Sequence, residues 1–384
     1  MPTLAHGGNK WALDSVVLAE LKETAAKLCQ PGKGFLASDE SAGPWSRAGH
    51  AECAKIPDTI ENRAAYRSMC FRAPGLSDHI SGCILHTETL FQEDADGNKM
   101  VDLLNAAGIV PGIKLDQGYD KAGIPGTQVG PLGHPETMDK GLDTLNARCA
   151  AAYAQGARFA KWRNVLQIDP VKGLPSELAI AEATSQLAKY ALICQANRLV
   201  PIVEPEIVPN GDHDVYACAN ATERVLAAQF KALADHNVYL EGAVLKPNMV
   251  KNGLTGPQAS PEEIATLTVT ALKRTVPPAM PGIFFLSGEM PLDMDNEEAA
   301  SINLSKMNEL FPSLPWHLSF SYGKALQKTT LVTWMGKKEN EDAAQKALKA
   351  RAGANNDAVL GKYVAGTCAS VGTDGNVNQA AGPY

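Results

Sequence analysis

The chain has 384 residues, 45% hydrophobic and 20% charged, a globular composition with ample length for a large core. A net charge of −7 and a pI of about 5.7 exclude the broad basic footprint of a nucleic-acid or acidic-membrane binder. The eight cysteines (Cys29, Cys53, Cys70, Cys83, Cys149, Cys194, Cys218 and Cys368) form no CxxC pair and read as free thiols of a reducing compartment. The first ten residues carry neither an apolar h-region nor an Arg-rich amphipathic stretch, and no segment approaches a membrane span. The expectation is a cytoplasmic protein, or the mature form of an organellar one.

Eight apolar, strand-like runs follow one another along the chain. The first four are Gly34 to Asp39, Ser81 to Thr87, Val110 to Asp116 and Phe159 to Arg163. The others are Leu199 to Glu206, Gly242 to Lys246, Gly282 to Ser287 and Trp316 to Tyr322. Intervals of about thirty to fifty residues fit a strand–loop–helix–loop unit. Helix starts are marked between them. Asp58-Thr-Ile-Glu61 opens one helix, and Ser176-Glu-Leu-Ala begins a long one that runs to about Asn197. Ser260-Pro-Glu-Glu263 is a capping box with proline at the first helical position. Eight units predict a single closed (β/α)8 TIM barrel over residues 1–361. The competing open doubly wound sheet lacks a GxGxxG turn after the first strand. Pro111 and Pro201 fall near strand starts, where proline is tolerated. Residues 362–384, rich in Gly, Ala and Ser without periodicity, predict a flexible C-terminal arm that ends in Tyr384.

The C-terminal ends of these runs carry the polar residues: Ser38, Asp39, Thr87, Lys114, Asp116, Lys161, Arg163, Glu204, Glu206, Lys246, Ser287 and Ser321. Side chains two apart on a strand share a face, so Lys114/Asp116, Lys161/Arg163 and Glu204/Glu206 each project as a pair. In a barrel those faces converge at the catalytic mouth. Any one pair could be a solvated strand end; three pairs and Lys246 at the same end argue for a site. Lys246 ends an apolar run stopped by Pro247, where burial disfavours an ammonium, and a neutral amine is the form that attacks a carbonyl. Three lysines in one space are expected to lower one another's pKa, with the two glutamates exchanging protons. The predicted chemistry is amine catalysis on an anionic carbonyl compound.

Phosphate is the predicted anion. Leu286-Ser287-Gly288 and Ser321-Tyr322-Gly323-Lys324 offer hydroxyls, backbone amides and a cation after strands seven and eight, where barrels commonly bind phosphate. The eight histidines are dispersed, and Gly211-Asp-His-Asp214 reads as a turn, so no catalytic metal is expected.

The chain resembles the class I, Schiff-base fructose-bisphosphate aldolases from Pro31 to the final tyrosine. The marks are Ala37-Ser-Asp-Glu-Ser41, Gly112-Ile-Lys-Leu-Asp116, Phe159-Ala-Lys-Trp-Arg163, Ile202-Val-Glu-Pro-Glu-Ile207, Leu245-Lys-Pro-Asn-Met249, Phe285-Leu-Ser-Gly288 and Ser319-Phe-Ser-Tyr-Gly323. The resemblance implies reversible cleavage of fructose 1,6-bisphosphate to dihydroxyacetone phosphate and glyceraldehyde 3-phosphate. It also implies no metal or other cofactor, a homotetramer, and a place in glycolysis, gluconeogenesis or a plastid carbon cycle. A mature plastid-stroma form is therefore the alternative to the cytoplasm. By the same resemblance Lys246 is the Schiff-base lysine and Glu204 the main acid/base. Glu206 and Lys161 assist carbinolamine formation and dehydration, Asp39 handles the C4 hydroxyl, and Tyr384 assists proton exchange at C3. Lys114, Arg163, Ser287, Gly288, Ser321, Gly323, Lys324, Ser41 and Arg47 are the implied substrate contacts.

Three departures stand out. Lys324 occupies a position where the family usually has Arg, which keeps the charge and loses the planar fork. Ala42 to Ala48 retains only Arg47 of the usual basic residues. Gly288-Glu-Met-Pro-Leu-Asp-Met-Asp-Asn296 replaces a shorter Gly-Gly-Gln loop. The altered second phosphate site keeps open a Schiff-base aldolase or transaldolase for another sugar phosphate. A binding or scaffold protein on the same fold is the reading from another class.

Overall fold

The computed structural model describes residues 13–41, 53, 55–120, 122–288 and 296–368. In chain order, α1 (Ser15–Leu28), β1 (Gly34–Ser38), α2 (Ile60–Phe71), β2 (Ile80–Leu85), α3 (Thr87–Leu90), α4 (Met100–Ala107) and β3 (Val110–Lys114) form the first part. Next come α5 (Leu145–Gln155), β4 (Phe159–Gln167), α6 (Glu177–Ala196), β5 (Val200–Val208), α7 (Val215–Asp235) and β6 (Val244–Leu245). The chain then forms α8 (Pro261–Thr275), β7 (Gly282–Phe285), α9 (Asn296–Leu310), β8 (His317–Tyr322), α10 (Lys324–Trp334) and α11 (Glu341–Val359). The eight strands pair in sequence order, and β8 closes on β1 through Phe35–Ser321 and Leu36–Tyr322, all parallel.

Caps define the helix starts. Thr59 is the N-cap of α2, its Oγ1 accepting from Asn62 N at 3.2 Å. Ser176 caps α6 and Asp214 caps α7, so Gly211–Asp214 is the entry to a helix. Ser260 and Glu263 form the capping box that opens α8. The strands deviate from the sequence expectation mainly in length. β4 and β5 extend to Gln167 and Val208, and β6 shortens to two residues behind a 3-10 turn over Leu240–Gly242. Pro247 has no N–H to carry β6 further. Lys246 N still donates to Val203 O at 2.8 Å, and Asn248 Oδ1 accepts from Ile207 N at 3.0 Å in place of a ladder bond.

The inward faces of the strands switch from apolar to polar along their length, and this switch locates the site. On β1 the series is Phe35, Ala37, Asp39; on β4 it is Phe159, Lys161, Arg163; on β5 it is Val200, Ile202, Glu204, Glu206; on β6 it is Val244, Lys246. The lower layer is dry and aromatic: Phe35 stacks on Phe284 with centroids 4.0 Å apart and on Phe159 at 5.5 Å. Gly112 must be glycine there, because a Cβ would lie 2.3 Å from the Phe159 ring. Below the charges the barrel is therefore filled. The charges meet in a cavity at its C-terminal mouth.

After α11 the chain stays on the barrel to the end of the described stretch. Tyr363 OH donates to Glu298 Oε1 at 2.7 Å, and the Arg351 guanidinium donates to Cys368 O.

Candidate active site

Four buried charges of alternating sign cross the cavity floor. Asp39 Oδ2 lies 2.8 Å from Lys161 Nζ, Lys161 Nζ 3.3 Å from Glu204 Oε2, and Glu204 Oε1 3.0 Å from Lys246 Nζ. Asp39 and Lys246 directly follow β1 and β6, while Lys161 and Glu204 lie within β4 and β5, so barrel closure itself assembles the row. Lys246 and Lys161 are each 4% exposed and Glu204 is 2% exposed, which makes every pairing count in a low-dielectric setting. A second tier lies nearer the rim. The Arg163 guanidinium is ion-paired to Glu206, and Lys114 Nζ lies 2.7 Å from Asp116 Oδ1.

The protonation states follow from this alternation. Burial opposes ionisation of Asp39, but Lys161, Lys246 and Lys114 outweigh it and hold the carboxyl well below the usual range. Burial also disfavours the Lys161 ammonium, yet Asp39, Glu204 and Asp116 overcome it and raise its pKa above the ordinary value. The expectation that neighbouring lysines lower one another's pKa is therefore wrong for Lys161, because the carboxylates lie between the amines. Lys161 is a fixed cation.

Ser41, Lys114, Arg163, Ser287, Gly288, Ser321, Gly323 and Lys324 all line the same cavity as the charged row. Ser321 Oγ is buried and has no hydrogen-bond partner among the described residues. Gly323 is the N-cap of α10, with Lys324 as its first residue, so the helix start faces the cavity beside Ser321. Gly288 sits at φ +67, a conformation that favours glycine. Arg47 and Tyr384 lie outside the described residues, as does Glu289 to Asp295 of the long loop. Among the described residues no group of three or more His, Cys, Asp or Glu could hold a metal ion.

Sequence reasoning passed over several cavity residues. Glu40 adjoins Asp39; burial and the Asp39 charge push its carboxyl up to about 7, while Gln327 Nε2 donates to its Oε1 at 2.9 Å. Its adjacency to Asp39 was the available signal. Asp139 comes from the irregular segment between β3 and α5, where no periodicity marks it, and it lines the rim with Tyr119.

Burial and the neighbouring Asp116 push the Asp139 carboxyl up to about 8, against the pull of Arg163, Lys114 and Lys161. A carboxyl whose pKa rises on folding favours the folded state most at low pH. That contribution is complete below about 4 and is lost as pH rises toward about 8. Asp139→Asn is expected to flatten this loss: between pH 5 and pH 8 the variant's thermal midpoint should fall less than that of the unmodified chain. Identical slopes would mean that Asp139 ionises normally.

A closed barrel that buries an amine among ionised carboxylates at its mouth has the equipment of an enzyme working through a lysine–carbonyl adduct. A family model described as fructose-bisphosphate aldolase class-I matches residues 20–381, and the chain belongs to that family. Fructose-bisphosphate aldolase 1 of Toxoplasma gondii is 53% identical over 351 residues, covering 91% of this chain and 92% of the relative. The cytosolic fructose-bisphosphate aldolase 5 of Arabidopsis thaliana is 50% identical over 348 residues, covering 90% and 92%. Among solved structures, fructose-bisphosphate aldolase of Plasmodium falciparum in complex with TRAP and a small-molecule inhibitor aligns with a TM-score of 0.86. It is 49% identical and is matched over 92% of this chain and 98% of that one. The activity is thus the aldol cleavage of fructose 1,6-bisphosphate in glycolysis by the metal-independent, Schiff-base chemistry of class I.

Proposed function

We propose that Lys246 is the nucleophile of this reaction. The observation that carries the reading is the 3.0 Å contact between Lys246 Nζ and Glu204 Oε1. Glu204 takes one proton from the Lys246 ammonium. The freed amine adds to the C2 carbonyl and passes a second proton to its oxygen, giving the carbinolamine hydroxyl. Glu204 returns the first proton to that hydroxyl as it departs as water and leaves the iminium. Lys161, a fixed cation, keeps Asp39 ionised and donates a hydrogen bond to the oxygen leaving as water. Glu206, on the same face of β5, relays protons to the rim and is held in place by Arg163. Asp39 accepts the C4 hydroxyl proton as the C3–C4 bond breaks. That electron pair flows into the iminium, leaving an enamine and the free aldehyde. Protonation of the enamine at C3, assisted by Tyr384, and hydrolysis of the iminium release dihydroxyacetone phosphate.

Incubation with dihydroxyacetone phosphate in heavy water tests this order without any aldehyde present. The unmodified chain is expected to place deuterium at C3, because the enamine forms reversibly on Lys246. Absence of exchange at full cleavage activity would contradict an enamine intermediate.

For the substrate's ends, the phosphate next to the reacting ketone rests on Ser287, Gly288, Ser321, Gly323 and Lys324. The unpartnered Ser321 hydroxyl and the start of α10 support this placement. The other phosphate meets Ser41, Lys114 and Arg163, joined by Arg47. Lys114 and Arg163 are already paired with Asp116 and Glu206, so the far site holds its anion less firmly than an open cluster of cations. Lys324→Arg restores a planar bidentate fork and is expected to lower KM for fructose 1,6-bisphosphate roughly threefold to tenfold with little change in kcat. An unchanged KM would remove Lys324 from the phosphate contact. Comparing fructose 1-phosphate with the bisphosphate measures what the far site contributes.

A cytoplasmic homotetramer fits this reading. Cytosolic isozymes among the relatives support the compartment, and no helix among the described residues is long and apolar enough to cross a membrane.

A further inference from the structure

A lysine that no strand-end pattern announced lies under the proposed phosphate turn. Lys251 follows β6 in the segment leading to α8 and is 7% exposed. A Cβ built on Gly288 would lie 2.9 Å from Lys251 Nζ, so the ammonium is directly against the turn at Ser287 and Gly288. It lines a small recess separated from the main cavity by shared walls, including Pro209, Leu286, Ser287 and Gly288. The backbone around it is held on both sides. Val250 N donates to Thr268 Oγ1 at 2.9 Å, and Gly253 N donates to His213 O at 2.8 Å. The backbone that carries Lys251 is therefore fixed rather than part of a loose loop.

We infer that Lys251 is a second cation of the subsite that binds the phosphate of dihydroxyacetone phosphate, acting from beneath the Ser287–Gly288 turn while Lys324 acts from the start of α10. The inference rests on the reading that this turn and Lys324 hold a phosphate. A cation behind a turn raises the potential at the backbone amides in front of it, and with little water between, its effect on an anion is far larger than at a surface. The role also gives a physical reason why the site tolerates Lys324 in place of an arginine: the bidentate hydrogen bonding lost at one wall is offset by an additional charge at another. Lys251 is a positioning and electrostatic residue; the reacting atoms remain with Lys246 and Glu204.

The test measures the ketone concentration for half-maximal borohydride trapping, with dihydroxyacetone phosphate and with phosphate-free dihydroxyacetone. Lys251→Met and Lys251→Thr are expected to raise the requirement for the phosphorylated ketone about tenfold while that for dihydroxyacetone stays put. Lys251→Arg should stay within about twofold of the unmodified chain, since it keeps the charge. An unchanged requirement for the phosphorylated ketone in both neutral variants overturns the inference. So does an equal rise for both ketones, which would mark damage to the barrel. Lys324→Met and Ser287→Ala are measured in parallel. If they raise the requirement for dihydroxyacetone phosphate and the neutral Lys251 variants do not, the phosphate subsite stands and Lys251 is no part of it. If none of them does, the subsite itself has been misplaced.

Discussion

Lys246→Met is expected to lower kcat by about 10^4-fold or more while leaving the fold intact. Methionine fills nearly the same space but supplies no amine, so neither carbinolamine nor iminium can form. The structural cost is small because Glu204 keeps its other partner: Lys161 Nζ lies 3.3 Å from its Oε2. A thermal midpoint close to that of the unmodified chain, with cleavage nearly abolished, is the expected pair of results. Retention of more than about a tenth of kcat would require a different nucleophile, and Lys161, held as an ammonium by its carboxylates, is poorly suited to replace it.

Glu204 has the second-largest expected effect, and two substitutions separate its chemical and structural parts. Glu204→Gln keeps the shape and removes the proton carrier, and kcat should fall by about 10^2- to 10^4-fold. Glu204→Leu also removes every polar contact between two buried ammonium groups. Stranding a buried charge by deleting its partner costs about 3–5 kcal/mol, so this variant should unfold at markedly lower denaturant than Glu204→Gln. Equal stability of the two would show that water or another group compensates the lysines. A Gln variant within about threefold of the original kcat would move the acid/base role to Glu206.

The legibility of this molecule in its sequence tracks how strictly each feature is dictated locally. Strand ends with polar residues at two-residue spacing, such as Glu204 and Glu206, already specify which side chains share a face. The count of eight units then specifies that the faces converge, and the closed barrel brings Asp39, Lys161, Glu204 and Lys246 into one row. Strand length was less readable: β6 is two residues long because Pro247 interrupts it and Asn248 bonds to the neighbouring backbone. What sequence could not supply was the order of charges across the floor. Lysines on different strands appeared to be neighbours, whereas carboxylates separate them, and the sign of the Lys161 shift reversed. Asp139 and Lys251 were invisible for another reason. Each lies in an irregular segment, and only the folded path of that segment carries it to the cavity rim or beneath the Gly288 turn.

Borohydride reduction in the presence of dihydroxyacetone phosphate, followed by peptide mass mapping of the full chain, tests the assignment of the nucleophile most directly. The expected result is one modified residue, Lys246, carrying the reduced adduct. Modification at Lys161 or Lys114 instead, or complete inactivation with Lys246 unmodified, would contradict the account.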